Sequence, residues 1–509
     1  MTTNPWLQRA QEADLSVRNF INGRSVNSVA LKNDSGVAIT KHSPRDGRLL
    51  YTFSAGSEND VEQAVDAARD SFDDGRWSEL SVNERKSVLQ KLADLIIENQ
   101  EVLALYDCLD VGKPITKALN SDISLAVGVL RDCAEGLDKI FSPSGTDKGT
   151  MAYQCRKPVG VVGAIIGWNY PLFMAALKVG PALAMGNSLV LKPSEYSPLS
   201  AGKLAELALE AGVPPGVFNV VNGEGSIVGK ALAHHSKVNL LTFTGSSATG
   251  KQMMIAAGQS NMKRLMLECG GKSPVIVFDD CSDAHLDTVA GFVVGQAFNN
   301  QGENCKASSR LLIQEGIKEK LVSKVVEQVS KLKVQDPLDP DCQFGALINE
   351  AHMNKVMAYI DKGKEDGAKL ILGGNRAEVI SEQGGYLAGY FVEPTIFDYV
   401  DPKSTIAQEE IFGPVLSIIS FNDEADAIRI ANDSCFGLAA FAATENLGIA
   451  QRLGRRLNAG QLIVIGSSNP DAGTVAIADE PQQESGFGFE KGLAGLASYT
   501  VSTAVTFIT

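Results

Sequence analysis

The sequence predicts an α/β protein built on mostly parallel strands, and three observations carry that reading. Charged amphipathic segments alternate repeatedly with short runs of aliphatic and β-branched residues, the pattern of strands joined by helices. Several of those runs lead straight into a glycine-containing turn or a helix start. At 509 residues the chain also exceeds what one hydrophobic core normally serves, so two or three domains, or one large domain with insertions, are expected.

Taken in order, residues 60–70 (DVEQAVDAARD) and 83–99 (NERKSVLQKLADLIIEN) space their apolar positions as helices do. A Gly- and Ser-rich patch at 141–149 precedes TMAYQCRKP, which alternates like an edge strand or an extension. VGVVGAIIGW from 159, SLVLKP from 188, LLTFTG from 240 and SPVIVF from 273 read as buried strands, with a helix at 197–212 between them. VEPTIF, VLSIISF and QLIVIG add strands in the last third. The tail SYTVSTAVTFIT also alternates, but it is too short for a sheet of its own and must pair with another element or subunit. No internal repeat or low-complexity linker interrupts this order.

Composition narrows the function. With 44% hydrophobic and 21% charged residues this is ordinary globular material, and a formal charge of −14 without a basic cluster argues against nucleic acid. The first twenty residues lack an apolar signal core, and eight scattered cysteines show neither a CxxC pair nor zinc spacing. A cytoplasmic protein without a metal site is the expectation. Residues 158–177 are uncharged and long enough to span a bilayer. Gly167, Asn169 and Pro171 break the run into a strand, a turn and a helix start, so no membrane span is expected.

Five short stretches could carry chemistry. In FNNQGENCKASSR, Cys305 stands among small and polar residues with Lys306 beside it, whereas a packing cysteine sits among apolar ones. GSSATGK at 245–251 has the GxxxxGK spacing but is followed by Gln252, not by the hydroxyl that would hold magnesium; a glycine-rich turn at a helix start can still present N–H groups to a pyrophosphate. LKPSE places Lys192 and Glu195 at a strand end, as a surface charge pair or a ribose clamp. LECGG places Glu268 before two glycines, where a shielded carboxyl would gain the raised pKa of a general base or would simply be solvated. In WNYP, Asn169 could cap the following helix or hold an oxyanion.

In their order and separations, GVVGAIIGWNYPL, VLKPSE, LTFTGSSATGK, LECGGKSP, NQGENC and QEEIFGPV resemble the aldehyde dehydrogenase superfamily, from FINGR at 20 to SYT at 498. The resemblance implies the aldehyde dehydrogenase fold, with a Rossmann-like NAD-binding domain at 1–137 and 158–269. It also implies an α/β catalytic domain at 270–478 and a β-hairpin oligomerisation arm at 138–157 and 479–509, serving a homodimer or homotetramer. It makes Cys305 the nucleophile, which answers why that cysteine avoids apolar company. Asn169 and the Cys305 backbone N–H would hold the oxyanion, Glu268 would activate water, and Lys178 would support proton transfer. For NAD, the matching positions are Lys192 and Glu195 at the adenosine ribose, Gly245, Ser246 and Gly250 at the pyrophosphate turn, Ile166 and Trp168 beside the cofactor, and Glu410 and Phe412 at the nicotinamide. Glu195 favours NAD over NADP, because a carboxylate near the 2′ position repels a phosphate.

Departures from the family pattern bear on the aldehyde. Leu177 replaces a bulky aromatic, which implies a roomier channel. Asn304 and Lys306 flank the nucleophile; a pocket-facing ammonium would draw carboxylated aldehydes, but neighbours on an extended chain point to opposite sides. The stretch 461–484 lacks the family's asparagine and FGG. SNMKRLMLECGGKSP and the N-terminal third most resemble bacterial dehydrogenases of amino aldehydes, including γ-glutamyl-γ-aminobutyraldehyde, with Asp122 where an acidic residue would greet the substrate amine. The expected function is NAD-dependent oxidation of such an aldehyde. The alternatives are an ω-carboxylate semialdehyde dehydrogenase, a CoA-dependent thioester-forming member, which Glu268 argues against, and a low-activity binding or structural protein on the same fold.

Overall fold

A computed structural model describes residues 4–28, 38–381, 384–466 and 477–508. Two parallel-centred sheets organise the chain. The first has eight strands in the order Arg24–Val26, Asn19–Ile21, Phe218–Val220, Ser188–Lys192, Val161–Ile165, Leu240–Thr244, Arg264–Glu268 and Gly486–Phe487. Its five central strands are parallel and both margins are antiparallel. The second has seven, in the order Lys369–Leu372, Thr395–Asp398, Val415–Phe421, Arg310–Gln314, Pro274–Val277, Ala439–Ala443 and Gln461–Ile465, parallel except for the first pair.

The expected strands at 159, 188, 240, 273 and in the last third are therefore present. Their near-continuous apolar runs have a physical cause, since helices cover both faces of each sheet. Val162 and Ala164 pack into one core while Val161 and Ile165 pack into another on the opposite face. In the second sheet Val275 and Val277 face one way and Ile276 the other. The covering helices Glu58–Asp73 and Val82–Glu98 start at Ser57 and Ser81, each in a reciprocal capping box with Asp60 and Glu84.

The alternating stretch and the tail find each other. Thr150–Pro158 pairs antiparallel with Thr500–Ile508 along its whole length, with Ser144–Asp147 on the other side. Met151, Tyr153, Phe507 and Ile508 remain exposed on this small sheet. Of the stretch 479–509 assigned to the arm, only this last strand joins it; Gly486–Phe487 instead closes the edge of the first sheet beside Glu268. Residues 158–177 resolve into the strand Val161–Ile165, a turn and the start of the helix Pro171–Ala184, and no helix among the described residues is long and apolar enough to cross a membrane.

Candidate active site

The site begins where strands end. Thr244 and Glu268 terminate neighbouring strands of the first sheet, Lys192 terminates a third, and ligands bind beyond such carboxyl ends in open parallel sheets. Facing them is the loop that follows the helix Asp283–Phe298. Asn300, Gln301 and Gly302 adopt φ of 51°, 58° and 74°, a left-handed run that non-glycine residues hold only when their surroundings over-determine it. The over-determination is visible: the Asn300 amide donates to the carbonyls of Asn169 and Glu303, both at 3.0 Å, and a Cβ on Gly302 would lie 2.3 Å from the Gly413 carbonyl oxygen. This loop delivers Cys305 to a cavity of about 330 Å³ that Glu268 also lines.

Asn169 lies behind the cavity wall, buried, and its side-chain N–H donates to the Glu303 carbonyl at 3.0 Å. An amide carries two N–H bonds, so this contact fixes the group and leaves one donor for a reacting oxygen. Of the two glycines after Glu268, neither has a left-handed φ. They are required by space: a Cβ on Gly270 would lie 2.5 Å from a Glu410 carboxylate oxygen, and one on Gly271 would lie 2.4 Å from the Cys305 carbonyl. The two glycines thus mark a close approach of two loops.

Burial dominates the electrostatics. It pushes the Cys305 thiol up to about 12, with Glu268 adding to the rise and Lys306 opposing it. It also pushes Glu268 up to about 8, reinforced by Glu490 and opposed by Lys178 and Lys306. The fully buried Lys178 forms an ion pair with Glu490, which itself reaches the cavity, so Lys178 acts on the site from behind this carboxylate. Lys306 lines the cavity, paired with Asp479 and donating to Gln461 at 3.2 Å. Burial disfavours its ammonium, but Asp479 outweighs that and holds its pKa up. Alternation does not apply to Lys306, because Cys305 and Lys306 form a turn and both reach the cavity. A second ammonium, Lys491, lies 3.4 Å from the same carboxylate.

Two expectations about the substrate channel meet different outcomes. Leu177 lines the cavity with Phe173 and Met174. Asp122, expected at the channel, is not on the cavity wall: it is buried in an ion pair with Lys113, whose ammonium sits 4.0 Å over the Tyr170 ring. Ser121 and Leu125, four residues apart and hence on one helical face, take the cavity side instead. Of the altered stretch 461–484, residues 467–476 lie outside those described; Gln461, Ile463 and Asp479 reach the cavity. Asp479, Glu490 and Lys491 are site residues that the sequence reading did not single out.

On the other flank, Lys192 donates to Glu195 at 2.8 Å, and the Ile166 N–H donates to the Lys192 carbonyl at 3.2 Å. Ser246 caps the helix Ser247–Gln259, its hydroxyl accepting from the Thr249 N–H at 3.2 Å, which leaves the Ser247 and Ala248 N–H groups at the helix start to face an anion. Gly245 and Gly250 contribute room: the Gly245 N–H is already bonded to the Glu268 carbonyl at 3.0 Å, and a Cβ on either would strike Phe243 or Cys269. The Glu410 carboxylate accepts from the Gly271 N–H at 2.9 Å, and the rings of Trp168 and Phe412 meet edge-on at 5.2 Å. A carboxylate at a strand end, a helix start open to anions and an aromatic pair near the nucleophile make a cradle that fits a dinucleotide.

An α/β fold with a cysteine and a buried carboxyl on one cavity, and an anchored amide behind its wall, has the architecture of an enzyme. The profile of the aldehyde dehydrogenase family matches residues 31–505, and the chain belongs to that family. It is 42% identical to the aminoacetaldehyde dehydrogenase of Pseudomonas aeruginosa, over 94% of this chain and 93% of that one. It is 41% identical to the NADP/NAD-dependent aldehyde dehydrogenase PuuC of Escherichia coli, over 97% and 96%. The P. syringae indole-3-acetaldehyde dehydrogenase AldA, solved with NAD+, superposes with a TM-score of 0.93 at 43% identity, covering 99% of both chains.

Proposed function

We propose that this chain oxidises an aldehyde to its carboxylic acid with NAD as oxidant, through a covalent intermediate on Cys305. The observation that carries this reading is the convergence of Cys305 and Glu268 on one cavity, with the Asn169 amide fixed beside the nucleophile loop. The Cys305 sulfur adds to the aldehyde carbon as its proton leaves to a base, for which Glu268 is the carboxyl at hand. The thiohemiacetal oxyanion is held by the free N–H of Asn169 and the Cys305 backbone N–H. NAD, held by Lys192, Glu195 and the helix start after Ser246, would supply the hydride acceptor for that carbon, and the acyl group stays on Cys305 as a thioester. Glu268, its first proton released to solvent, then takes a proton from water as the water attacks the thioester, and passes it to the departing Cys305 thiolate. The first sheet serves as the cofactor half and the second as the catalytic half.

The preference for NAD over NADP rests on Glu195, whose carboxylate is held in place by Lys192. Glu195→Gln is expected to raise the ratio of kcat/KM with NADP to that with NAD by about tenfold, because a charge repulsion is removed. An unchanged ratio would mean that Glu195 does not read the ribose.

For the substrate we propose an amino aldehyde. It is supported by the named activity of the Pseudomonas aeruginosa relative and by three carboxyl groups on the wall, Glu268, Asp479 and Glu490. Lys306 and Lys491 favour a second reading, an aldehyde with a distal carboxylate. Lys306→Met separates the two, read as NADH formation with ω-amino and ω-carboxylate aldehydes of equal length. Freeing Asp479 from one ammonium is expected to raise the amino-to-carboxylate selectivity about tenfold, the worth of one charge-assisted contact. A wild type that prefers the carboxylates, and loses that preference in the variant, would establish the second reading. We also propose a cytoplasmic homodimer or homotetramer in which the exposed apolar side chains of the small sheet are covered by a second copy.

A further inference from the structure

The helix Glu350–Glu365 approaches the site without contributing a side chain to the cavity, yet it grips the loop that carries Glu410 and Phe412 at two points one turn apart. The first is His352, whose Nε2 lies 2.7 Å from the Phe412 carbonyl oxygen; a carbonyl only accepts, so Nε2 carries the proton and donates. The second is Val356, so closely packed that a Cβ on Gly413 would lie 2.5 Å from its methyl carbon. Between these points Phe412 holds φ 58°, a conformation that an aromatic L-residue keeps only when its surroundings enforce it.

The same junction touches the nucleophile loop. The Gly413 carbonyl is the group that leaves no room for a side chain on Gly302. The Glu303 carboxyl accepts the Ile348 N–H at 3.0 Å, just before this helix, and lies 3.7 Å from His352 Nε2. The His352 ring also stands edge-on to Trp168 at 5.5 Å and to Phe412 at 6.1 Å, closing a cluster of three rings beside Asn169. Burial lowers His352 to about 4, which keeps the imidazole neutral and Nε2–H a donor throughout the neutral range.

We infer that His352 is a positioning residue that locks the Phe412 peptide in its left-handed conformation and so aligns the nicotinamide end of the cofactor cradle with the nucleophile loop. The inference rests on the dinucleotide reading above. Its consequence is local. Removing the Nε2–H donor releases the Phe412 peptide and turns its ring, while the adenosine end at Lys192 and Glu195, beyond a central strand of the first sheet, is untouched.

The test compares NAD with ADP-ribose, which lacks the nicotinamide, by calorimetric titration of wild type, His352→Leu, His352→Asn and His352→Gln. His352→Leu is expected to weaken NAD binding about tenfold, the loss of one buried hydrogen bond, and ADP-ribose binding less than about twofold. His352→Asn, too short to reach the carbonyl, should match it and serves if the leucine variant does not fold. His352→Gln, whose amide can reach, should return NAD affinity to within about threefold of wild type. Wild-type NAD affinity in the leucine or asparagine variant overturns the inference, as does an equal loss of NAD and ADP-ribose binding. A wild type that binds neither ligand overturns the dinucleotide reading, and this inference with it.

Discussion

Cys305→Ala is expected to abolish NADH formation with every aldehyde, lowering kcat/KM by at least about 10⁴-fold, the scale on which removal of a covalent nucleophile acts. The hydroxyls on the cavity wall, those of Ser121, Thr244 and Tyr170, lie off the loop held against Asn169, and Lys306, which lies on it, is kept an ammonium by Asp479. NAD affinity should survive, because the thiol takes no part in the contacts of Lys192, Glu195 or Ser246. Calorimetric titration with NAD beside a steady-state assay separates the two effects. Residual turnover above about one hundredth of wild type would sink Cys305 as the nucleophile, and lost NAD affinity would show that the substitution disturbs the fold of the loop.

The second large effect concerns Glu268. Its base form is the carboxylate, and burial beside Glu490 raises its pKa to about 8, so only about a tenth of it is ionised at pH 7. The wild-type rate should therefore climb about tenfold between pH 7 and pH 9, as the carboxylate form accumulates. Glu268→Gln should remove that rise and lower kcat by about 10²–10⁴-fold, the range for loss of a general base. Second-site changes should move the rise in opposite directions by about one pH unit. Lys178→Met takes away a cation that favours the carboxylate and shifts the rise upward, whereas Glu490→Gln takes away an anion that disfavours it and shifts the rise downward. A glutamine variant that keeps the pH-dependent limb would assign it to another group.

The strands were legible because a parallel sheet buried on both faces must be apolar at every position, which leaves short uninterrupted runs such as VVGAI and PVIV in the sequence. Cys305 stood out for the opposite reason, a thiol in company that packing alone does not require, whereas Glu268 was left open by its own residues and only the fold brings it to the same cavity. Ion pairing was not legible. Asp122 and Lys113 are nine residues apart, and nothing in their spacing says that they turn toward each other and away from the cavity. Lys178 and Glu490 are separated by 312 residues, and Asp479 reaches Lys306 across 173. The pairing depends on the strand Gly486–Phe487 lying along Arg264–Glu268, a register that neither segment states alone.

By itself, then, the sequence determined which side chains carry reactive groups and which runs must be buried, because residue chemistry and apolar periodicity are local properties. Tertiary structure alone decided how those groups are tuned. The rise of Glu268, the pairing of Lys306 with Asp479 and the spatial need for Gly270 and Gly271 all arise from segments distant in the chain that pack within a few ångströms. Charge interactions and steric exclusion act through space, so they follow from the fold and not from the order of residues along the chain.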